Sequence, residues 1–257
     1  MIYTWTENNT SKILRIFESF NKARAIIIPS ILQRRSRLWV DSLDSPSAVL
    51  WRLKVLNVLV GDADCPAANE LVHMLEPPQV LIAPGPHWSS LVQKTWGPHI
   101  ETLCRTKFSP DSLTIKHLSE LSDKCPKGYE IERMSLETIK TLDKRVHSYI
   151  PMYFGGSVDF FEKGIGFCVK DRGKVVSSAT TFSPFIDEFE TEVNTVNDSR
   201  YRGRGFATSV AAALLMYALE HNIVPHWDAE NDISGKIAFK LGYSNPEPYK
   251  SLYIKQL

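Results

Sequence analysis

The chain has 257 residues, with 30 Lys+Arg against 29 Asp+Glu and a formal net charge of +1. Its 43% hydrophobic and 23% charged content, at a mean hydropathy of −0.17, excludes a collagen-like, disordered or low-complexity protein. It also leaves no bulk basic excess of the kind a nucleic-acid binder uses. The length suits one large domain or two moderate ones, each able to fold without staples. The opening MIYTWTENNTSKILRIF lacks a basic stretch followed by an apolar one, so no secretory signal is expected. The longest apolar run, Val210 to Leu219, is too short for a bilayer span, so no membrane partner is expected. Cys65, Cys104, Cys125 and Cys168 show neither paired spacing nor a histidine at zinc-finger distance. Reduced thiols in a cytoplasmic protein, with no metal site, are the expectation.

In chain order, a helical period runs through Ile13, Ile16, Phe17 and Phe20, followed by an apolar run at 26–28. Ser47 to Val60 alternates with period two and predicts one or two strands, broken by Gly61-Asp62. Pro66 to Leu75 predicts a short helix, Gln79 to Ala83 a buried strand, and Trp88 to Trp96 a helix stopped by Gly97-Pro98. A boundary is expected near Ser122 to Gly128, dividing the chain into domains 1–125 and 126–257. Beyond it come a strand (Tyr129 to Met134), a helix (Leu136 to Val146) and a short helix capped by Ser157. A hairpin follows, turning at 171–174, and then a strand from Phe185 to Val196. A glycine turn leads into a helix ending at His221, then a strand (Val224 to Glu230). A helix stopped by Gly242 and a last strand (Leu252 to Lys255) complete the series. The order is β-α-α-β-β-β-α-β-α-β, an α/β plan, and the N-terminal half could repeat it in degenerate form.

The most informative segment is SRYRGRGFATSV, Ser199 to Val210. Gly203 and Gly205 stand between a strand and a helix, where the lack of a Cβ allows a sharp turn and close backbone approach. The helix start adds unpaired N–H groups and the positive end of its dipole, which together suit a pyrophosphate. Two registers of Arg-x-x-Gly-x-Gly/Ala fit: Arg200, Gly203, Gly205, or Arg202, Gly205, Ala207, the second being preferred. A plain tight turn with solvated arginines is the alternative. In WDAENDISGKIAFKLGY, Asn231 and Ser234 sit where a strand meets a helix. They could bond the amides of an extended ligand or serve as ordinary caps.

Together these segments resemble the GNAT (GCN5-related N-acetyltransferase) family over Gly128 to Leu257. EKGIGFCV, VVSSATTF, YRGRGFAT and PHWDAENDISGKIAFKLGY look similar to the subfamily containing the zwittermicin A resistance protein. Gly61, Trp88, Gly97 and 105–108 are more loosely similar to its N-terminal half. The resemblance implies a mixed central sheet with splayed strands flanked by helices, plus an N-terminal degenerate half of the same build. It implies acetyl-CoA as co-substrate. Its pyrophosphate would lie on Arg202, Gly203, Arg204, Gly205, Phe206 and Ala207, and its pantetheine arm near Asn231 and Ser234. A main-chain N–H near Val196 and Asn197 would polarise the thioester carbonyl.

Acetyl transfer also needs a neutral amine. With period two, Glu188, Glu190, Glu192 and Asn194 share one face, and His226, Asp228 and Glu230 alternate onto a face of the neighbouring strand. Glu190 and Glu192 are the candidate general bases; a solvated acidic face is the alternative, and His226 is expected to be a hydrogen-bonded packing residue. The tyrosine that many family members carry as proton donor is replaced by Ala238, leaving water or Ser234 as substitutes. The expectation is therefore an acetyl-CoA-dependent N-acetyltransferase for a small amine, such as an aminopolyol antibiotic or metabolite, with a homodimer as a possible assembly. A silent CoA-binding sensor, or an enzyme for protein or amino-acid amines, is the alternative.

Overall fold

The computed structural model describes residues 1–6 and 10–256. The chain forms two compact units, Met1–Arg105 with Pro248–Leu257, and Thr106–Glu247. The elements of the first are β1 (Tyr3–Thr4), α1 (Ser11–Ile16), α2 (Arg24–Leu32), β2 (Arg37–Val40), β3 (Ala48–Leu53), β4 (Leu56–Gly61), α3 (Ala68–His73), β5 (Gln79–Leu81) and α4 (Pro86–Trp96). Strand β6 (Ile100–Ser109) carries the chain into the second unit, which holds α5 (Ile115–Ser122), β7 (Ile131–Arg133), α6 (Leu136–Lys140), α7 (Ser157–Lys163), β8 (Gly166–Asp171) and β9 (Lys174–Thr181). There follow β10 (Glu188–Thr195), α8 (Phe206–Glu220), β11 (Val224–Ala229) and α9 (Asp232–Leu241), and β12 (Ser244–Ile254) returns to the first unit.

The strand order in the first unit is β1-β2-β3-β4-β5-β12, all antiparallel except the β4–β5 pair. In the second it is β7-β8-β9-β10-β11-β6, all antiparallel except β10–β11. Each unit thus runs through strand, helices, three-strand meander, helix, parallel strand. The parallel pair follows from the intervening helix, since a two-residue turn cannot return a strand in the same direction. In the first unit α3 and α4 bury Leu71, Val72, Trp88 and Val92 in one core with Leu50, Leu59 and Leu81.

In the second unit α8 is the central helix. Its run of alanines and leucines is apolar on most sides and accordingly buried. Val210, Ala211, Leu214 and Leu215 pack with Phe108, Leu118, Ala179, Phe189 and Trp227. This core explains why the units part at Arg105/Thr106, ahead of the expected break at 125/126. Strand β6 and helix α5, which the sequence reading passed over, bury Phe108, Leu118 and Leu121 with α8. Two local expectations are corrected. Helix α6 ends at Lys140 rather than near Val146, and the chain then passes into a π-helical turn at Ile150–Phe154. Ser157 is the first residue of α7, not its cap; Gly156 holds the cap position with no side-chain bond.

Candidate functional site

Strands β10 and β11 run side by side only from Glu188–Val224 to Glu190–His226. Beyond that, β10 stays paired with β9 through Thr195 and β11 with β6 through Ala229. The two parallel strands therefore part into a wedge within the second unit. Ladder alternation decides which amides face it. Val196 N–H donates to Val176 carbonyl at 2.9 Å, and the Glu190 carbonyl accepts from Phe182 N–H at 2.9 Å. Even-numbered residues of β10 thus spend their backbone groups on β9, and odd ones point away. The expected polarising amide is accordingly not that of Val196. The Thr191 N–H closes the last β10–β11 pair, so the N–H groups that face the opening belong to Val193 and Thr195.

The 196–205 loop closes one arm of the wedge. Gly203 and Gly205 have φ of +72° and +94°, a region L side chains rarely enter. No heavy atom lies within 4 Å of where a Cβ would stand on either. The left-handed pair is that of the first register, whereas Ala207 lies inside α8. Charge follows a different division. The Arg200 guanidinium is bound to Asp198 at 2.7 Å and 3.1 Å, which holds the Asp198 carboxyl below and the Arg200 guanidinium above their ordinary values. Arg200 thus spends its charge within the loop. Arg204 bonds the Arg200 carbonyl at 2.8 Å, and Arg202 makes a long 3.5 Å bond to the Thr195 carbonyl. Gly205 is the N-cap of α8 and no side chain caps that end, so first-turn amides are left for a ligand. Phe206 is fully buried against Tyr129 and Tyr201 and anchors the turn. The corresponding β4–α3 connection of the first unit reads GDADCPAA, and its Asp62 and Asp64 would repel a diphosphate.

The other arm ends at Asn231, whose side chain accepts the Ser234 N–H at 3.0 Å as the cap of α9. The Ser234 hydroxyl oxygen accepts the Trp227 indole N–H at 3.1 Å. Asn231 Nδ2 reaches Glu230 at 3.4 Å. Both residues serve as local fasteners, placed at the wedge. Asn231→Ala is expected to cost about 1 kcal/mol and to lower Tm by about 2–4 °C; a melting curve matching wild type would show the cap contributes nothing.

On the face of β9 and β10 away from α8, Ser178 opposes Asn194 and Thr180 opposes Glu192. Asn194 Nδ2 donates to Glu192 at 3.0 Å. Glu190 is buried beside them. His226 Nε2 lies 2.8 Å from Glu188, in keeping with a hydrogen-bonded packing role. The segment after α6 covers this floor. His147 Nε2 lies 3.0 Å from Ser178 Oγ, and the Tyr149 hydroxyl 2.6 Å from Thr180 Oγ1. Burial, reinforced by the Glu192 charge, pushes the Tyr149 phenol far above its usual range, so it stays protonated. Sequence reasoning missed His147, Tyr149 and Ser178. The alternation of His147 and Tyr149 was their only signal, and it fell just past the expected helix, in a stretch to which no element was assigned.

A cavity of about 770 Å³ opens here, lined by Asp143, His147, Ser177, Ser178, Asn194 and Thr195, with Val196, Asn197 and Arg202 at one end. Three of the expected ligand residues are thus brought together. Asn231 and Ser234 stand at the other arm and are not part of its lining. Among the described residues, no group of three or more His, Cys, Asp or Glu is arranged to hold a metal ion, and no helix is long and apolar enough to cross a membrane.

Comparison with known proteins gives the class. The family model for GNAT acetyltransferases matches residues 15–252, and the chain belongs to that family. It is 28% identical over 168 residues to the uncharacterized N-acetyltransferase YdfB of Bacillus subtilis (strain 168), a match spanning 65% of this chain and 62% of that protein's length. The crystal structure of a GCN5-related N-acetyltransferase-like protein from Streptococcus suis 89/1591 superposes with a TM-score of 0.78 at 25% identity, covering 95% of this chain and 97% of that one. A GCN5-related N-acetyltransferase from Kribbella flavida shares the fold at a TM-score of 0.59 and 16% identity, over 91% of this chain and 96% of that one.

Proposed function

We propose that the protein is an N-acetyltransferase that takes its acetyl group from acetyl-CoA and delivers it to the amine of a small polar molecule. The observation that carries this reading is the wedge between β10 and β11, with an uncapped helix start and two open left-handed glycines at its mouth. The fit is chemical as well as spatial. Arg202 and Arg204 supply positive charge beside the first-turn amides of α8, matching a diphosphate. The amides of Val193 and Thr195, beyond the last β10–β11 pair, stand where an extended arm could bond them, and one of them would polarise the thioester carbonyl. Asn231 Nδ2 is a donor at the opposite arm. Asn231→Asp keeps the cap acceptor but removes this donor, so CoA affinity should fall several-fold with Tm unchanged; calorimetry beside a melting curve reads both.

Glu190 and Glu192, on the β10 face that also carries Asn194, are the proposed attractors of an ammonium group and acceptors of its proton. The acceptor is read as small, with several hydrogen-bonding groups, because the cavity offers hydroxyls, amides, an imidazole and both signs of charge. An aminopolyol fits that description. The resemblance of four segments to the zwittermicin A resistance subfamily supports the same class. The first unit, by its element order, is read as a degenerate copy without a coenzyme loop. The free thiols of Cys65, Cys104, Cys125 and Cys168 suit a cytoplasmic setting, and a homodimer is compatible with this reading.

A second reading, a silent coenzyme A sensor, is favoured by one observation. Ala238 is fully buried, so no phenol stands there to protonate the leaving sulfur. A thiol of pKa about 8.5 leaves without an acid, which is why transfer is preferred. Thiol release from acetyl-CoA with a panel of amines separates the two: a transferase releases thiol in an amine-dependent way, and a sensor binds CoA and releases none.

A further inference from the structure

The floor of the 770 Å³ cavity holds a serine and a histidine that the reading above leaves without a role. His147 is buried, 7% exposed, and Ser178 is 2% exposed, yet both line the cavity. The tautomer follows from the partners. His147 Nδ1 lies 3.2 Å from the Asp143 carbonyl oxygen, and a carbonyl can only accept, so Nδ1 carries the proton. Nε2 is then bare, and the Ser178 hydroxyl must donate across the 3.0 Å contact. Burial holds the imidazole below its ordinary pKa, with the Asp143 carbonyl and carboxylate pushing partly back. The ring is therefore neutral near pH 7 and ready to take a proton. Two features fix its place: the Asp143 carbonyl also accepts the His147 main-chain N–H at 2.9 Å, and the Tyr149 ring lies 6.1 Å away. The charged groups around it are Asp143 and Arg145 on its own segment, Lys174 at the head of β9, Glu192 on β10 beyond Asn194, the Lys170–Glu132 pair of β8 and β7, and Arg202 at the cavity's end.

We propose that Ser178 and His147 form a proton relay that removes the second proton from the acceptor nitrogen during transfer. This rests on the acetyl-transfer reading. An ammonium group loses one proton before it can attack, and Glu190 or Glu192 takes that one. Attack forms the carbon–nitrogen bond and leaves the nitrogen positively charged. Its N–H proton then passes to Ser178 Oγ as the serine's own proton passes to His147 Nε2. The carbon–sulfur bond breaks, the electron pair leaves with the sulfur as thiolate, and the imidazolium returns its proton to water through the open cavity. Asn194, opposite Ser178 and in the cavity lining, bonds Glu192 at 3.0 Å, so Glu192 stands next along the same face of β10.

The test uses the full chain with acetyl-CoA, 2-aminoethanol, spermidine and glucosamine as probe acceptors, and water as a fourth, with thiol release as the readout. His147→Gln keeps an oxygen that accepts the Ser178 hydroxyl, so a structural role survives it. The relay predicts a loss of about a hundredfold in turnover with CoA affinity unchanged, and loss of the acid limb that wild-type kcat shows below the ordinary imidazole value. Imidazole added to His147→Gly should restore part of the rate. Nitrogen-15 shifts of the wild-type ring should show the proton on Nδ1. Wild-type turnover and an unaltered acid limb in His147→Gln would overturn the relay alone. No thiol release by the wild type with any acceptor, despite CoA binding, would overturn the transferase reading and the relay with it.

Discussion

Gly205→Val is expected to weaken coenzyme A binding by about a hundredfold, roughly 2.7 kcal/mol, with the fold retained. Two effects combine. At φ +94° a side chain is strained, at a cost of about 1–2 kcal/mol for an ordinary residue and more for a β-branched one. Nothing lies within 4 Å of the new Cβ in the free protein, so the side chain enters open space. Its methyl groups stand at the helix start, where the diphosphate would approach, and push it off the amides. Gly205→Ala should fall between, since it shares the strain and has less bulk. Calorimetric titration with CoA, beside a circular-dichroism melt, checks this; wild-type affinity in the valine variant would reject the loop as the nucleotide site.

Glu192→Gln is expected to lower turnover by about a hundredfold, within the range of general-base losses, with CoA affinity unchanged. Glutamine keeps an oxygen for the Asn194 amide but cannot take a proton. The deficit should shrink at high pH, because free amine becomes abundant and needs no base. Rate–pH profiles of the two proteins check it. A ratio that stays flat across pH would move the base to Glu190 or elsewhere on that face. Glu190→Gln provides the comparison: it is buried near the last β10–β11 pair and should be the less accessible of the two.

The second unit was legible because its signals are local. The 171–174 turn, the alternation through 188–195, the glycines at 203 and 205 and the Gly242 stop each fix their backbone within a few residues. Helix α9 shows this best, since Asn231 caps one end and Gly242, at φ +103°, closes the other. What stayed hidden depends on partners far along the chain. Strand β6 is half-exposed along much of its length, so it shows no clean alternation, and its pairing with β11 is set by tertiary contact. The same holds for α5, whose Leu118 and Leu121 have meaning only against α8. At the site, the glycine turn could be read directly. The direction of the Val196 amide could not, because it follows from the β9–β10 register and not from residue type. His147 was concealed for a similar reason, since its partner Ser178 is 31 residues away.

The most direct test is a crystal structure of the protein with coenzyme A bound. The account predicts diphosphate oxygens at roughly 2.7–3.2 Å from main-chain nitrogens between Tyr201 and Thr208, with the pantetheine arm running into the gap between β10 and β11. A diphosphate seated anywhere else, or bound only by side chains with those nitrogens facing water, would contradict it.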